Sequence, residues 1–157
     1  MEWIFVSILI VSIIHVIEEY FGDFVGQMKQ NIPEKFSPAV DLSQFVSVNL
    51  TFLILCFIAV IVGSSNLIYS LSVATILFIN VFTHIGGAIR LKGYNAGLIS
   101  ALLLYLPISV YAYYYYWNNG TLNHIDIIFS VLLGIFWMIL LFINILIQSS
   151  IKRTAHK

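Results

Sequence analysis

Residues 3–20 read WIFVSILIVSIIHVIEEY, an apolar run that closes on His15, Glu18 and Glu19. A helix needs about 20 mainly apolar residues to cross the hydrocarbon core of a bilayer, so the run predicts a membrane helix. At 100° per residue, Glu18 lies about 60° to one side of His15 and Glu19 about 40° to the other. All three side chains therefore project from one helical face. An ionisable group at the bilayer centre costs roughly 2.5–3.5 kcal/mol, so such a cluster marks a site. The run is not read as a cleavable leader. It lacks a basic n-region, and His-x-x-Glu-Glu stands where small residues would form a cleavage site.

The rest of the chain agrees with that class. Of its 157 residues, 61% are hydrophobic and only 9% charged, against about 25% charged in soluble domains. Mean hydropathy is +0.99. The net charge is zero, which gives no electrostatic footprint for nucleic acid. The single cysteine, Cys56, excludes an internal disulfide and any redox motif built on paired cysteines. Five segments are long enough to span: 3–20, 44–63, 67–89, 97–117 and 124–147. Short polar turns at 64–66 and 118–123 connect them. Residues 22–43 form the one long loop, in which Pro33 and Pro38 forbid a single continuous helix. The expected fold is one all-α domain, a polytopic bundle of five transmembrane helices in a cell membrane.

Charge orients the bundle. With five spans, residues 22–43, the connection after the third span and the C-terminal tail share one side. They contain Lys29, Lys35, Arg90, Lys92, Lys152, Arg153 and Lys157, every lysine and arginine in the chain. The positive-inside rule makes that side cytoplasmic, with the N-terminus outside. Trp3 and Tyr113–Trp117 then fall at the outer ends of their helices, as an aromatic belt. Depth follows. His15, Glu18 and Glu19 lie in the inner third of the first span, and Asn80 and His84, spaced i, i+4, in the last turns of the third. Asn49 enters about 7–8 Å inside the second span at 1.5 Å per residue, and Asn144 comes at a similar level on the fifth. Polar groups from four helices thus share one layer, while the outer halves are mainly Ile, Leu, Val and Phe.

The ordered set His15-x-x-Glu18-Glu19-Tyr20, Asn80-x-x-x-His84 and Tyr94-Asn95-Ala96-Gly97 resembles the H-x-x-E-E family of small membrane proteins. The resemblance runs from about Ile14 to Ile108. It implies a polytopic membrane fold with these residues as its signature, and no particular reaction. The family pattern favours proline where Ala96 stands, so a looser turn is expected there.

Two histidines, two glutamates and an asparagine amide suit a divalent metal of hard or borderline character, Zn²⁺, Fe²⁺ or Mn²⁺. His15, His84 and Glu19 are the expected ligands, leaving a position open for water or substrate. Glu18 and Glu19 are the expected catalytic carboxylates, one of them a general base or the partner that orients an imidazole. Asn49, Asn80, Tyr94 and Asn95 are expected to support ligands or contact substrate. Arg90 and Lys92 are placed to hold an anionic lipid headgroup. Each feature has a plainer reading: a helix-end His–Glu pair, interhelical hydrogen bonds of about 0.6 kcal/mol each, or a topology signal. Their shared depth favours a site. Three functions remain open: a metal-dependent membrane enzyme, most simply a hydrolase acting on a membrane lipid or amphiphile; a small proton-coupled transporter; and a non-catalytic membrane partner.

Overall fold

A computed structural model describes residues 3–32, 37 and 40–155, apart from the side chains of 145–146 and 148–155. Pro33, Lys35, Pro38, His156 and Lys157 lie outside the described residues, as do the side chains of Lys152 and Arg153. The described chain is helical, with no strand. Its helices are α1 (Trp3–Phe21), α2 (Phe24–Asn31), α3 (Leu42–Val62), α4 (Leu67–Leu91), α5 (Leu98–Asn118) and α6 (His124–Ala155). Four stretches are long and apolar enough to cross a membrane: Trp3–Phe21, Leu42–Leu91, Leu98–Asn118 and His124–Asn144. The second contains α3 and α4, which double back at the 3₁₀ turn Gly63–Asn66. There Tyr69 Oη donates to Leu55 O at 3.2 Å and Ser70 Oγ to Gly63 O at 2.8 Å. The described residues therefore form five long apolar helices.

Helix α4 is the axis. Its residues 70–77 are buried without interruption, as in a helix surrounded on every side. Against it pack Phe5 and Ile8 of α1 and Phe52, Cys56 and Ala59 of α3. Helix α6 approaches at Gly134, where a Cβ would stand 2.5 Å from Thr75 Cβ and 2.7 Å from Ser72 O. Only a residue without a side chain allows that spacing. The outward faces carry exposed Ile10, Ile13, Ile17, Phe57, Ile61, Ile128, Leu132 and Ile139. An apolar outside around a core that contains polar groups suits a bilayer better than water.

Two details refine the expected layout. The segment after α1 holds an eight-residue helix, α2, started by Asp23, whose carboxylate accepts the Gly26 N–H at 3.1 Å. The tyrosine run also divides by helix rotation. Trp3 meets Tyr111 and Tyr115 at 5.6 and 6.5 Å between ring centroids, an aromatic layer at the bundle end. Tyr113 turns inward, its hydroxyl 2.7 Å from Thr75 Oγ1 and 2.8 Å from Ser130 Oγ, and so ties α4, α5 and α6 together.

Candidate metal centre

At the opposite end from the aromatic layer, three buried side chains meet. His15 and Glu19 are one turn apart on α1, and His84 comes from α4. Glu19 Oε1 lies 3.5 Å from His15 Nε2 and 3.4 Å from His84 Nε2, and the two Nε2 atoms are 3.1 Å apart. These three residues form a group that could hold a metal ion. Three corners of a tetrahedron with bonds of about 2.0–2.1 Å are separated by about 3.3–3.4 Å, so the observed triangle fits a first-row divalent ion. Asn80 adds its amide. Its Nδ2 is 3.1 Å from His15 Nε2 and 3.4 Å from His84 Nε2, and its Oδ1 accepts from Thr83 Oγ1 at 2.8 Å.

The remaining imidazole nitrogens point away from the triangle to fixed partners. His15 Nδ1 lies 2.8 Å from Ser100 Oγ, and His84 Nδ1 lies 2.8 Å from Asn95 Oδ1. Ser100 and Asn95 are in place because the connection after α4 folds over the triangle. Gly97 sits at φ +90°, where a Cβ would come within 2.5 Å of His84 Cε1 and 2.8 Å of His15 Cε1. Helix α5 then begins, with a π turn at Ala101–Tyr105 in which Leu106 N–H reaches Ala101 O. Pro107 follows. It has no N–H and would crowd a carbonyl one α-turn back, so the wider turn relieves it. The same widening brings Ser100 and Tyr105 to one face, although in an α-helix they would diverge by about 140°. Ser100 bonds the His15 ring, and the Tyr105 ring packs on it at 4.3 Å.

Glu18 and Glu19 separate completely. Glu18 Oε1 accepts from Tyr94 Oη at 2.6 Å and Ile99 N–H at 3.1 Å, and Oε2 accepts from Ser100 N–H at 2.7 Å. It caps α5 from a neighbouring helix, satisfying amides that no intrahelical carbonyl reaches. Tyr94, in the connection outside the helices, is pushed up to about 12 by partial burial and by donation to the Glu18 carboxylate. The structure thus brings Glu19, with His15, His84, Asn80 and Asn95, into one cluster, and places Glu18 and Tyr94 beside it as the clamp on α5.

Asn49 lies on a cleft wall, its amide donating to Phe45 O of its own helix at 3.2 Å. That cleft, about 120 Å³, is walled by Phe24, Met28, Phe45, Val48, Phe52, Met138 and Phe142, and reaches Glu19 and Asn80. A second cleft of about 400 Å³ reaches His84 and Asn95 and includes Arg90 in its wall. Phe24 and Met28 of α2 belong to both, so α2 stands between them. Lys92 lies outside both linings, at the left-handed C-terminal position of α4.

Two residues of the cluster's surroundings escape a sequence reading. Ser100 looks like one of several serines in apolar helices, and its spacing three residues after Gly97 is its only signal. Gln27, in a polar connection, gives no signal at all. Its Oε1 accepts Ala96 N–H at 2.8 Å and Asn95 Nδ2 at 3.3 Å, and its Nε2 donates to Gly22 O at 3.1 Å. Ala96 is fully buried, and a proline in its place would have no N–H to give Gln27.

The chain belongs to the HXXEE family, whose model, described as a protein of unknown function with HXXEE motif, matches residues 5–112. No curated protein and no solved structure matches it.

Proposed function

We propose that this protein is a membrane-embedded, metal-dependent enzyme in which His15, Glu19 and His84 hold a divalent cation, Zn²⁺, Fe²⁺ or Mn²⁺, next to an amphiphile bound between helices. The observation that carries the reading is the donor triangle, 3.1–3.5 Å on each side and buried in an apolar bundle. Two imidazoles and one carboxylate form the three-ligand set of catalytic zinc sites, in which a fourth position stays open. The metal would polarise a carbonyl or phosphoryl oxygen or activate water, which makes hydrolysis the simplest reaction. The polypeptide supplies the rest. Asn80 directs its amide at the triangle, Glu18 holds the start of α5 over it, and the cleft that reaches Glu19 and Asn80 has the apolar lining with a few polar groups that ligand pockets share.

In this reading, apolar chains occupy the cleft between Phe24, Phe45, Phe52 and Phe142, and the polar group meets the triangle. Arg90, on the second cleft, and nearby Lys92 offer positive charge to an anionic headgroup. Since all lysines and arginines fall in segments on one side of the five-helix arrangement, the site opens toward the cytoplasmic leaflet of the cell membrane.

Metal analysis of detergent-purified protein, wild type beside His15→Ala and His84→Ala, tests the reading. One metal per wild-type chain, lost in both variants, together with a changed lipid profile in cells lacking the protein, is expected. Wild-type protein that takes up no stoichiometric Zn²⁺, Fe²⁺ or Mn²⁺ would overturn it, and pH-dependent flux through proteoliposomes would replace it with a proton-coupled transporter.

A further inference from the structure

Ala96 N–H can only donate, so Gln27 Oε1, 2.8 Å away, accepts. At the other end of the same amide, Gln27 Nε2 lies 3.1 Å from the Gly22 carbonyl, which can only accept. Two backbone groups therefore fix the Gln27 amide independently. Its Oε1 also receives Asn95 Nδ2 at 3.3 Å, which leaves Asn95 Oδ1 as the atom 2.8 Å from His84 Nδ1. An amide oxygen has no proton to give, so His84 Nδ1 must be the donor. In a neutral imidazole the other nitrogen, Nε2, then carries a bare lone pair. That nitrogen is the one 3.1 Å from His15 Nε2 and 3.4 Å from Glu19 Oε1.

We propose that Gln27 is a positioning residue that sets the tautomer of His84 through Asn95, so that the Nε2 lone pair faces the triangle and is available to a borderline divalent cation. The use made of that lone pair rests on the metal reading above; the tautomer itself does not. Packing holds the relay as well as hydrogen bonding. A Cβ at Gly87 would come within 2.9 Å of the Asn95 amide, and a Cβ at Gly22 would meet Ala96 Cβ at 2.7 Å. Both glycines let the connection over the triangle lie flat against α4 and the end of α1. His15 can be served in the same sense: with its own proton directed to Gly97 O, 3.3 Å away, the Ser100 hydroxyl is free to accept from His15 Nδ1 at 2.8 Å. Two lone pairs and a carboxylate oxygen then converge, with the Asn80 amide as the donor between them. A cation entering this triangle displaces no imidazole proton. Gln27 also makes the arrangement conditional on α2, the helix between the two clefts.

The test uses the full chain, labelled with ¹⁵N-histidine and held in metal-free nanodiscs, with the His84 signals assigned by comparison with His84→Gln. Wild-type His84 should show a pyrrole-type Nδ1 and a pyridine-type Nε2. Gln27→Leu should mix the two tautomers and lower Zn²⁺ affinity by about 10–100-fold, the range seen for groups that orient metal ligands. Gln27→Glu keeps the acceptor for Ala96 N–H and Asn95 Nδ2 although it loses the donor to Gly22 O, and should retain more of the tautomer and of the affinity than Gln27→Leu. A wild-type proton on Nε2 would overturn the inference, even if Gln27→Leu does not fold. So would equal loss of the Nδ1–H tautomer in Gln27→Leu and Gln27→Glu. The predicted tautomer in a wild-type protein that binds no Zn²⁺ would uphold the role of Gln27 and sink the metal reading alone.

Discussion

Replacing Gly97 by alanine should damage the protein twice over, and two other glycines allow the effects to be separated. At Gly97 the backbone takes φ +90°, which an L side chain adopts at a cost of roughly 1–2 kcal/mol. The added methyl would also meet His84 Cε1 at 2.5 Å, His15 Cε1 at 2.8 Å and Glu19 Cγ at 3.0 Å. All three neighbours are buried, so none can swing aside into solvent. Overpacking of a tight interior costs about 1–3 kcal/mol, giving roughly 2–5 kcal/mol in all for Gly97→Ala. Gly120 has φ +68° with nothing within 4 Å of a Cβ, so Gly120→Ala should show the backbone cost alone. Gly86 has neither a positive φ nor a close neighbour, and Gly86→Ala should be neutral or stabilising by up to about 1 kcal/mol. Reversible unfolding in mixed micelles, run on the three variants side by side, gives the order. Bound metal, measured on the folded fraction, should fall only in Gly97→Ala. If Gly97→Ala unfolds no more readily than Gly120→Ala, the connection does not lie over the triangle as described.

The two adjacent glutamates should behave differently. Glu18→Gln should cost about 1–3 kcal/mol of stability, the scale of hydrogen bonds to a charged group, and leave metal in place, whereas Glu19→Gln should lower bound metal by about 10–100-fold with a smaller effect on stability; the same loss in both would refute their division of labour. Tyr94, pushed up to about 12, stabilises the fold as a neutral donor. Its contribution should therefore be fully present below its ordinary value near 10 and lost as pH rises from there through about 12. Phenolate absorbance measured alongside unfolding checks this, and Tyr94→Phe should remove the dependence. Reporters fused after Lys157 and inserted at 118–123 should give opposite compartment signals, with the C-terminal one cytoplasmic; identical signals would mean a different number of spans.

Helix positions were legible because apolar length and turn residues determine them one segment at a time. Asp41 and Asn66, which cap α3 and α4, lie three residues and one residue before the expected starts of those spans. The triangle was legible through depth and face. His15 with Glu19 follows from an i, i+4 spacing, and His84 from its level on a helix running the same way. The sequence could not divide Glu18 from Glu19, since both lie within about 60° of His15 on the wheel. That division depends on α5 presenting Ile99 N–H and Ser100 N–H to one side of α1. Gln27 lay further out of reach, because its partners belong to a connection distant in sequence that only the folded bundle brings to α2. The tyrosine run shows the same limit. Composition placed it at a membrane surface, while rotation of α5 sent the Tyr113 hydroxyl to Thr75 and Ser130.

X-ray absorption at the zinc edge, on purified protein reconstituted with one equivalent of Zn²⁺, tests the central claim most directly. Two imidazole nitrogens and carboxylate or water oxygen at about 2.0–2.1 Å, with no sulfur, are predicted, and the imidazole contribution should fall by half in His84→Gln. Protein that holds no zinc, or zinc whose imidazole signal is unchanged in His84→Gln, would contradict the account.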